Sequence, residues 1–325
     1  MSGYKNNNRN AGTPLLRQED SPGIETCNGC AVCTLSCPVW GQTHDILLTF
    51  CGRMRATQGG ATVEDLKPSA SACVLCGSCE PVCPFGMDTV ARTIELKAEV
   101  AQLSGSESPR GARSNIVKRA EGKVLLANSH LREHKDLLGR ILLMIGPGVS
   151  EHMDNGEDIS TAMESGGTVS SARYERFLGL LARAGEIVTT DGLLYRLLLQ
   201  SSLSARILGL GEAMISNAEI TGMLNSDDLY VIDSRTYHAD HERLVEMYDD
   251  LRKRSGCMIN LDLHRVATPT GASRLKGAGV VDPVRQARWI LEGRPAKRVI
   301  VERLEDIEPF RQVTDVPVVF VSELS

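Results

Sequence analysis

Apolar and polar positions along the chain fall into three textures. In the first, Ile46, Leu47, Phe50 and Met54 recur at helical spacing between Val39 and about Ala56, and the run QGGAT at Gln58 to Thr62 ends that helix. A second helix or turn is predicted around Val63 to Ala72. A third is predicted from Met87 to about Leu103, with Asp88 as its cap. The second texture starts at Ser104, where SGSESPRG has the composition of a linker. The charged, Leu-containing stretch Ser114 to about Asp136 then predicts one more helix. In the third, short β-prone runs alternate with helical ones. Strands are predicted at Ile141 to Ile145, Glu186 to Thr189, Leu229 to Asp233, Met258 to Leu263, Arg298 to Val301 and Val316 to Val321. Helices fall at Ala172 to Ala184, Leu193 to Gln200, His238 to Arg254 and Pro283 to Leu291, and the polar, acidic Glu151 to Thr168 is predicted as a loop.

This alternation predicts an α/β domain with a largely parallel sheet behind an α-helical region, an α+β multidomain chain. The expected divisions are a disordered tail at 1–22, where Asn6 to Asn8, Gly12 and Pro14 offer nothing to bury, a helical domain at 23–104, a linker and helix at 105–136, and the α/β domain at 137–325. Gly146-Pro147-Gly148 and Gly209-Leu210-Gly211 lack the spacing of a phosphate-cradling loop.

Composition narrows the function classes. With 24% charged and 42% hydrophobic residues, the 325-residue chain has the texture of a soluble protein. A net charge of −5 and 4% aromatics argue against nucleic acid, which calls for a basic surface and stacking platforms. The N-terminus lacks the apolar segment of a signal peptide, and the longest apolar runs are too short to span a bilayer. A cytoplasmic location is expected, with membrane association at most peripheral and through partners.

Cysteine carries the chemistry. Eight of the ten cysteines lie in two runs, Cys27-Asn28-Gly29-Cys30-Ala31-Val32-Cys33-Thr34-Leu35-Ser36-Cys37-Pro38 and Cys73-Val74-Leu75-Cys76-Gly77-Ser78-Cys79-Glu80-Pro81-Val82-Cys83-Pro84. Each reads C-x2-C-x2-C-x3-C-P, the spacing by which thiolates hold a four-iron, four-sulfur cluster. Three closely spaced sulfurs reach three corners of one cube, and in two-cluster ferredoxins the fourth crosses to the other cluster. Two [4Fe-4S] clusters are therefore expected, one on Cys27, Cys30, Cys33 and Cys83, the other on Cys73, Cys76, Cys79 and Cys37. Structural zinc usually takes two separated C-x2-C pairs instead, and disulfides belong to oxidising compartments. Gly29 and Gly77 are expected to clear space for backbone amides near inorganic sulfur. The gap between the runs, residues 38–72, is helical in pattern, which favours an α-helical dicluster domain over a small β-type ferredoxin.

The paired runs with their helical spacer resemble the dicluster iron–sulfur subunit of heterodisulfide reductase. They are similar also to the iron–sulfur subunits of anaerobic glycerol-3-phosphate dehydrogenase and glycolate oxidase, to lactate-utilisation proteins and to the helical cluster domain of succinate dehydrogenase. The resemblance covers Cys27 to about Leu103. It implies an electron-transfer subunit of an oxidoreductase complex, passing single electrons between an acceptor and a catalytic partner, a flavin dehydrogenase or a heterodisulfide-reductase-like subunit. Several of these relatives continue into two copies of a CCG-containing motif, whereas this chain has no Cys-Cys pair. Arg235 to His241 is similar to the Tyr-His-Asp-Pro-Cys segment before such a motif, with His241 where the family has cysteine and Cys257 the nearest thiol. The alternatives are an oxidoreductase whose α/β domain binds a small substrate and is fed by the clusters, and an iron–sulfur scaffold subunit.

Smaller groups remain. His238, His241, Cys257 and His264, with Asp262 nearby, read either as a metal or acid–base site or as cap and surface histidines beside a buried cysteine. Cys51 reads as a core residue beside a cluster or a spare ligand. Arg53, Arg55, Arg92 and Lys97 read as a solvated face or as charges that raise cluster potentials. The apolar stretch Leu193 to Leu210 reads as one core helix.

Overall fold

The computed structural model describes residues 22–104, 117–275 and 279–324. Most of the expected N-terminal tail and of the linker lies outside the described residues. The helical part comprises α1 (Pro38–Thr43), α2 (Phe50–Gln58), α3 (Val63–Ala72) and α4 (Thr89–Leu103), with 3-10 turns at Ile24–Thr26, Val32–Thr34 and Ile46–Leu48. Side chains place the helix starts. Thr49 accepts from Gly52 N, Thr62 and Asp65 form a reciprocal capping box, and Asp88 accepts from Ala91 N. The single helix expected from Val39 to Ala56 is broken between α1 and α2, because His44 takes a left-handed conformation and Asp45 starts a new turn. Arg53, 1% exposed, ties the helices together: its guanidinium donates to Ser69 O (2.9 Å), Ser69 Oγ (3.1 Å) and Thr93 Oγ1 (2.7 Å).

Behind it, β1 (Gly122–Leu126), α5 (Ser129–Glu133), α6 (Lys135–Ile145), β2 (Val149–Glu151), α7 (Glu157–Ser165), α8 (Ser171–Leu181), β3 (Ala184–Thr189), α9 (Gly192–Leu199) and β4 (Arg206–Gly209) build a first sheet. After α10 (Leu210–Ile215) and α11 (Ala218–Gly222), a second sheet follows. It contains β5 (Asp228–Val231), α12 (Ser234–Ala239), α13 (His241–Ser255), β6 (Met258–Ile259), α14 (Pro283–Leu291), β7 (Arg298–Val301), α15 (Ile307–Arg311) and β8 (Val318–Phe320). The parallel α/β part thus consists of two four-stranded, wholly parallel sheets. Their orders, β2-β1-β3-β4 and β6-β5-β7-β8, repeat the same topology.

Four expectations are corrected. The stretch from Ser114 to Asp136 yields β1 and α5, so the α/β part begins before residue 137. Ile141 to Ile145 is the last stretch of α6, whose buried Leu138, Ile141 and Ile145 recur at helical spacing from Lys135 onward. Glu151 to Thr168 contains α7, with Ile159, Ala162 and Met163 burying one face. Leu193 to Leu210 is not one helix: α9 ends at Leu199, the chain turns at Ser201-Ser202, and Arg206–Gly209 is β4.

The first sheet is buried on both faces, and strand alternation decides which residue faces where. Leu125, Val188 and Leu208 join a core with Leu229, Val299 and Val301 of the second sheet. Their neighbours Val124, Leu126, Ile187 and Ile207 join another with Leu75, Val90, Ala91 and Ile94 of the helical part. The cluster-motif region and the α/β region therefore share a core. No helix among the described residues is long and apolar enough to cross a membrane.

Candidate metal centres

The two cysteine runs adopt the same backbone device. The residues just before and just after the second cysteine of each run have positive φ: Gly29 (79°) and Ala31 (60°) in the first, Leu75 (55°) and Gly77 (76°) in the second. Left-handed residues on both sides of the second cysteine bend the chain sharply there, and turns of this kind are the setting in which successive N–H groups form a concavity for an anionic group such as an iron–sulfur cluster. Glycine serves this handedness at positions 29 and 77, and at Gly77 it also serves packing. A Cβ there would lie 2.9 Å from His238 Cβ and 3.1 Å from Arg196 Nη2. Leu75 accepts the strained conformation while only 1% exposed, held in the core shared with the first sheet.

The cysteines line two adjoining cavities. One is walled by Cys37, Cys73, Cys76 and Cys79, with Cys33 at its edge and Arg53, Leu75, Ser78 and Val90 among its other walls. The other is walled by Cys27, Cys30, Cys33 and Cys83, with Cys51, Phe85 and Met87. Cys33, Phe50 and Thr89 border both. Cys37 thus sits with the second run and Cys83 with the first, each across from its own run's first three thiols. The proline after each fourth cysteine lines the cavity of that cysteine, Pro38 with Cys37 and Pro84 with Cys83, and Pro38 also starts α1.

Burial and mutual repulsion act on the thiols. Burial pushes Cys33 up to about 12, reinforced by Cys51, Cys83, Cys37 and Cys27. Cys37 is pushed up to about 12, by burial and then by Cys76 and Cys73, against backbone N–H donors at Trp40 and Val39. Cys76 rises to about 11 and Cys79 well above its ordinary range, both by burial. Thiols gathered this way need a bound cation to ionise them, which a metal centre supplies. The donor set, four cysteines of the exchanged pattern around each walled cavity, fits iron–sulfur clusters. Two hydroxyls also touch sulfur: Ser78 Oγ lies 3.0 Å from Cys76 Sγ and Thr89 Oγ1 2.8 Å from Cys79 Sγ.

The α/β part grips the second run with three side chains. Arg196 on α9 ion-pairs with Glu80 (Nη2 to Oε2, 2.5 Å) and lies 3.8 Å from Asp88. Glu80 in turn accepts from Val90 N at the start of α4. Burial raises the Glu80 pKa and the Arg196 charge opposes that rise, so removal of the arginine would strand a buried carboxyl. His238 on α12 lies 2.8 Å (Nδ1) from Cys76 O, and its Nε2 accepts from Ala267 N at 3.1 Å. The second contact places the proton on Nδ1, and burial drives the imidazole pKa down to about 3, so the ring is neutral. Arg235, also on α12, donates to Val74 O (2.9 Å) and to Glu164 Oε1 (2.5 Å).

The remaining candidates separate. His238 and His241 lie on successive helices, α12 and α13, with stacked rings 6.3 Å apart, and His241 Nε2 is 3.4 Å from Arg265 O. His264 is exposed, and Cys257 is buried in the core beneath the second sheet. Among the described residues no three His, Cys, Asp or Glu side chains stand close enough to hold one metal ion, the cysteines of the two runs included, which line the walls of the two cavities instead. Cys51 borders the Cys27 cavity, its thiol raised by burial and by Cys27. Of the four flanking cations, Arg53 lines the Cys73 cavity and Arg55 is exposed. Arg92 reaches Pro22 O, and Lys97 senses Cys73 and Glu164. Thr89, Ser78, Glu80 and Arg196 were not expected, and His238, left open between a metal or acid–base role and a cap or surface position, is buried against Cys76 O instead. Glu80 and Ser78 stood inside the motif, but Arg196 lies 116 positions from its partner, beyond any local signal.

Residues 23–87 match the family described as the 4Fe-4S dicluster domain. This segment is an iron–sulfur, metal-binding module with an electron-transfer role. No curated protein and no solved structure matches the chain.

Proposed function

We propose that the chain is the electron-transfer subunit of an oxidoreductase complex, holding two [4Fe-4S] clusters. Cys27, Cys30, Cys33 and Cys83 hold one, and Cys73, Cys76, Cys79 and Cys37 the other. The carrying observation is that the two thiol-lined cavities adjoin, sharing Cys33, Phe50 and Thr89 as walls, so that electrons pass between them over a short path. When bound, the clusters accept and release single electrons. The protein's own part is to wall them off, supply amides and hydroxyls to sulfur, and set charge around them.

The two sites differ in a way that supports a direction of flow. The Cys27 site has the exposed Cys30 and no arginine among its described walls, so it is the natural meeting point for a soluble redox partner, a flavin dehydrogenase or a heterodisulfide-reductase-like subunit in the cytoplasm. The Cys73 site has the buried Arg53 in its wall and the buried Arg235 on its loop, charges that stabilise an added electron, whereas Arg55, packed beside Gly29 of the first run, is exposed to solvent that screens it. Electrons then run from the Cys27 cluster inward to the Cys73 cluster. Anaerobically purified protein is expected to carry about eight irons per chain. Cys83→Ser is expected to alter the spectrum of the cluster held by Cys27, Cys30 and Cys33 and to spare the other. About four irons in the intact protein would refute the pair of clusters, and loss of the Cys73 cluster in the variant would refute the exchanged ligands.

A further inference from the structure

A polar cavity of about 60 Å³ lies where the two α/β halves meet, apart from both cysteine cavities. Topology explains its position. In a parallel sheet of order 2-1-3-4, the connections leave to opposite sides of the first strand, and ligands settle outside the carboxyl ends of the strands at that switch point. Here Asn128 follows β1, and Thr190 and Asp191 follow β3. Arg235 follows β5 and Arg303 follows β7. Both switch points of the duplicated fold therefore open into one cavity.

The charges on its walls are unevenly committed. Arg235 is taken up by Glu164 and Val74 O, and Arg274 by Glu157 and Glu133. Glu305 lies 3.1 Å from His130. Arg303 is different. Its guanidinium ion-pairs loosely with Asp233, Glu305 and Asp306 at 3.8, 3.7 and 3.8 Å, longer than hydrogen bonds, and among the described residues it donates one hydrogen bond, to Ala272 O at 3.2 Å. A guanidinium has five N–H donors in a planar fork, and Arg303 keeps 15% of its side-chain surface accessible beside the cavity. Thr161, Thr190 and Ser273 add hydroxyl groups to the wall, Thr190 engaged with Leu126 O and Asn128 N and Ser273 with Glu164, while the Asp191 carboxylate there accepts from Leu193 N and Leu194 N.

We propose that this cavity binds a small oxyanion, a carboxylate or phosphate-type group, in the fork of Arg303. Planar two-oxygen recognition is what a guanidinium with unused donors performs best. The volume holds roughly four to six waters, the space of a short organic acid or an inorganic anion. Arg235 borders the cavity and also holds the carbonyl of Val74, between Cys73 and Cys76, so the bound anion sits one side chain from the second cysteine run.

The test uses the full-length, iron-loaded protein and calorimetric titration with inorganic phosphate, sulfate, lactate and malonate, with neutral glycerol as control. At least one anion is expected to bind in the millimolar range or tighter while glycerol does not. Preference between the inorganic and the carboxylate probes identifies the source. Arg303→Lys keeps a charge for the three acids and loses the fork, and is expected to weaken binding roughly 10- to 100-fold with iron content unchanged. Thr161→Leu, which fills the cavity without touching a charge, is expected to weaken it as well. Absence of binding by all four anions, equal binding of glycerol, or unchanged affinity in both variants would overturn the proposal.

Discussion

Thr89 stands at the first turn of α4, and its hydroxyl lies 2.8 Å from Cys79 Sγ on the wall between the two cysteine cavities. A hydroxyl donated to a ligating sulfur stabilises the more electron-rich reduced cluster. Thr89→Val removes the donor and keeps the shape. The reduction potential of the Cys79 cluster is expected to fall by tens of millivolts, since one kcal/mol is roughly 40 mV for one electron. Redox titration followed by electron paramagnetic resonance reads this directly, and an unchanged or higher potential with full iron would show that the contact does not tune the cluster. At this scale the cysteines were legible because their spacing is local and their chemistry narrow. Arg196 was not, because its partner Glu80 lies 116 positions away, and Thr89 was not, because only the turn into α4 brings its hydroxyl to Cys79. His238 drew attention as an ionisable residue, yet its ring is neutral and spent on Cys76 O and Ala267 N.

At the scale of elements, β3, β5, β7, β8, α4 and α14 could be read from apolar runs and caps, Asp88 among them. Others misled for definite reasons. β1 is a short strand behind the charged Lys118-Arg119-Ala120-Glu121, and α7 shows only Ile159, Ala162 and Met163 among acids and hydroxyls. The linking of the helical part to the α/β part was likewise not in the pattern. Leu75, Val90 and Ile94 pack with Val124, Ile187 and Leu193, and Arg196 covers Glu80. Each such apolar side chain contributes about 1.5–3 kcal/mol, and a stranded buried partner of an ion pair costs about 3–5 kcal/mol. For Leu75, Val90, Ile94 and Glu80 together that is about 7–14 kcal/mol, as large as the whole stability of a typical domain, about 5–15 kcal/mol. A fragment of residues 1–104 is therefore expected to lose its helical content and to retain less than half of the iron, the second-run site first. Circular dichroism and iron assay of the fragment check this. A fragment with full iron and intact helices would mean that the two parts fold independently.

At the scale of the whole molecule, the duplicated sheets meet over a group of buried acids whose titration sets how stability depends on pH. Glu302, at the end of β7, accepts from Asp233 N (2.7 Å) and Tyr248 Oη (2.5 Å), yet burial pushes it up to about 7 from an ordinary 4.5. Asp306 rises to about 6 by burial, against the charge of Arg303. Glu164 and Glu305 go the other way, to about 2, because Arg235, His130 and Arg303 outweigh their burial. For a raised carboxyl the folded state holds its proton after the unfolded state has released it, so stability falls as pH rises between the two values. For Glu302 that window runs from 4.5 to about 7, and the rise corresponds to about 3 kcal/mol at 1.36 kcal/mol per pH unit. Glu164 and Glu305 add stability that is complete above 4.5 and lost only as pH falls toward 2. Between pH 5 and 8 the raised pair lowers stability as pH increases, while His238, neutral in the fold well below its ordinary 6.5, acts in the opposite direction up to that value. Glu302→Gln fixes that position in the neutral form, so in denaturant unfolding under anaerobic conditions the variant is expected to gain about 2.5 kcal/mol on the wild type between pH 5 and 8, at 1.36 kcal/mol per pH unit. An identical slope in the two proteins would mean that Glu302 ionises in the folded state as easily as in the unfolded one. The junction of the halves would then be wetter than its burial implies.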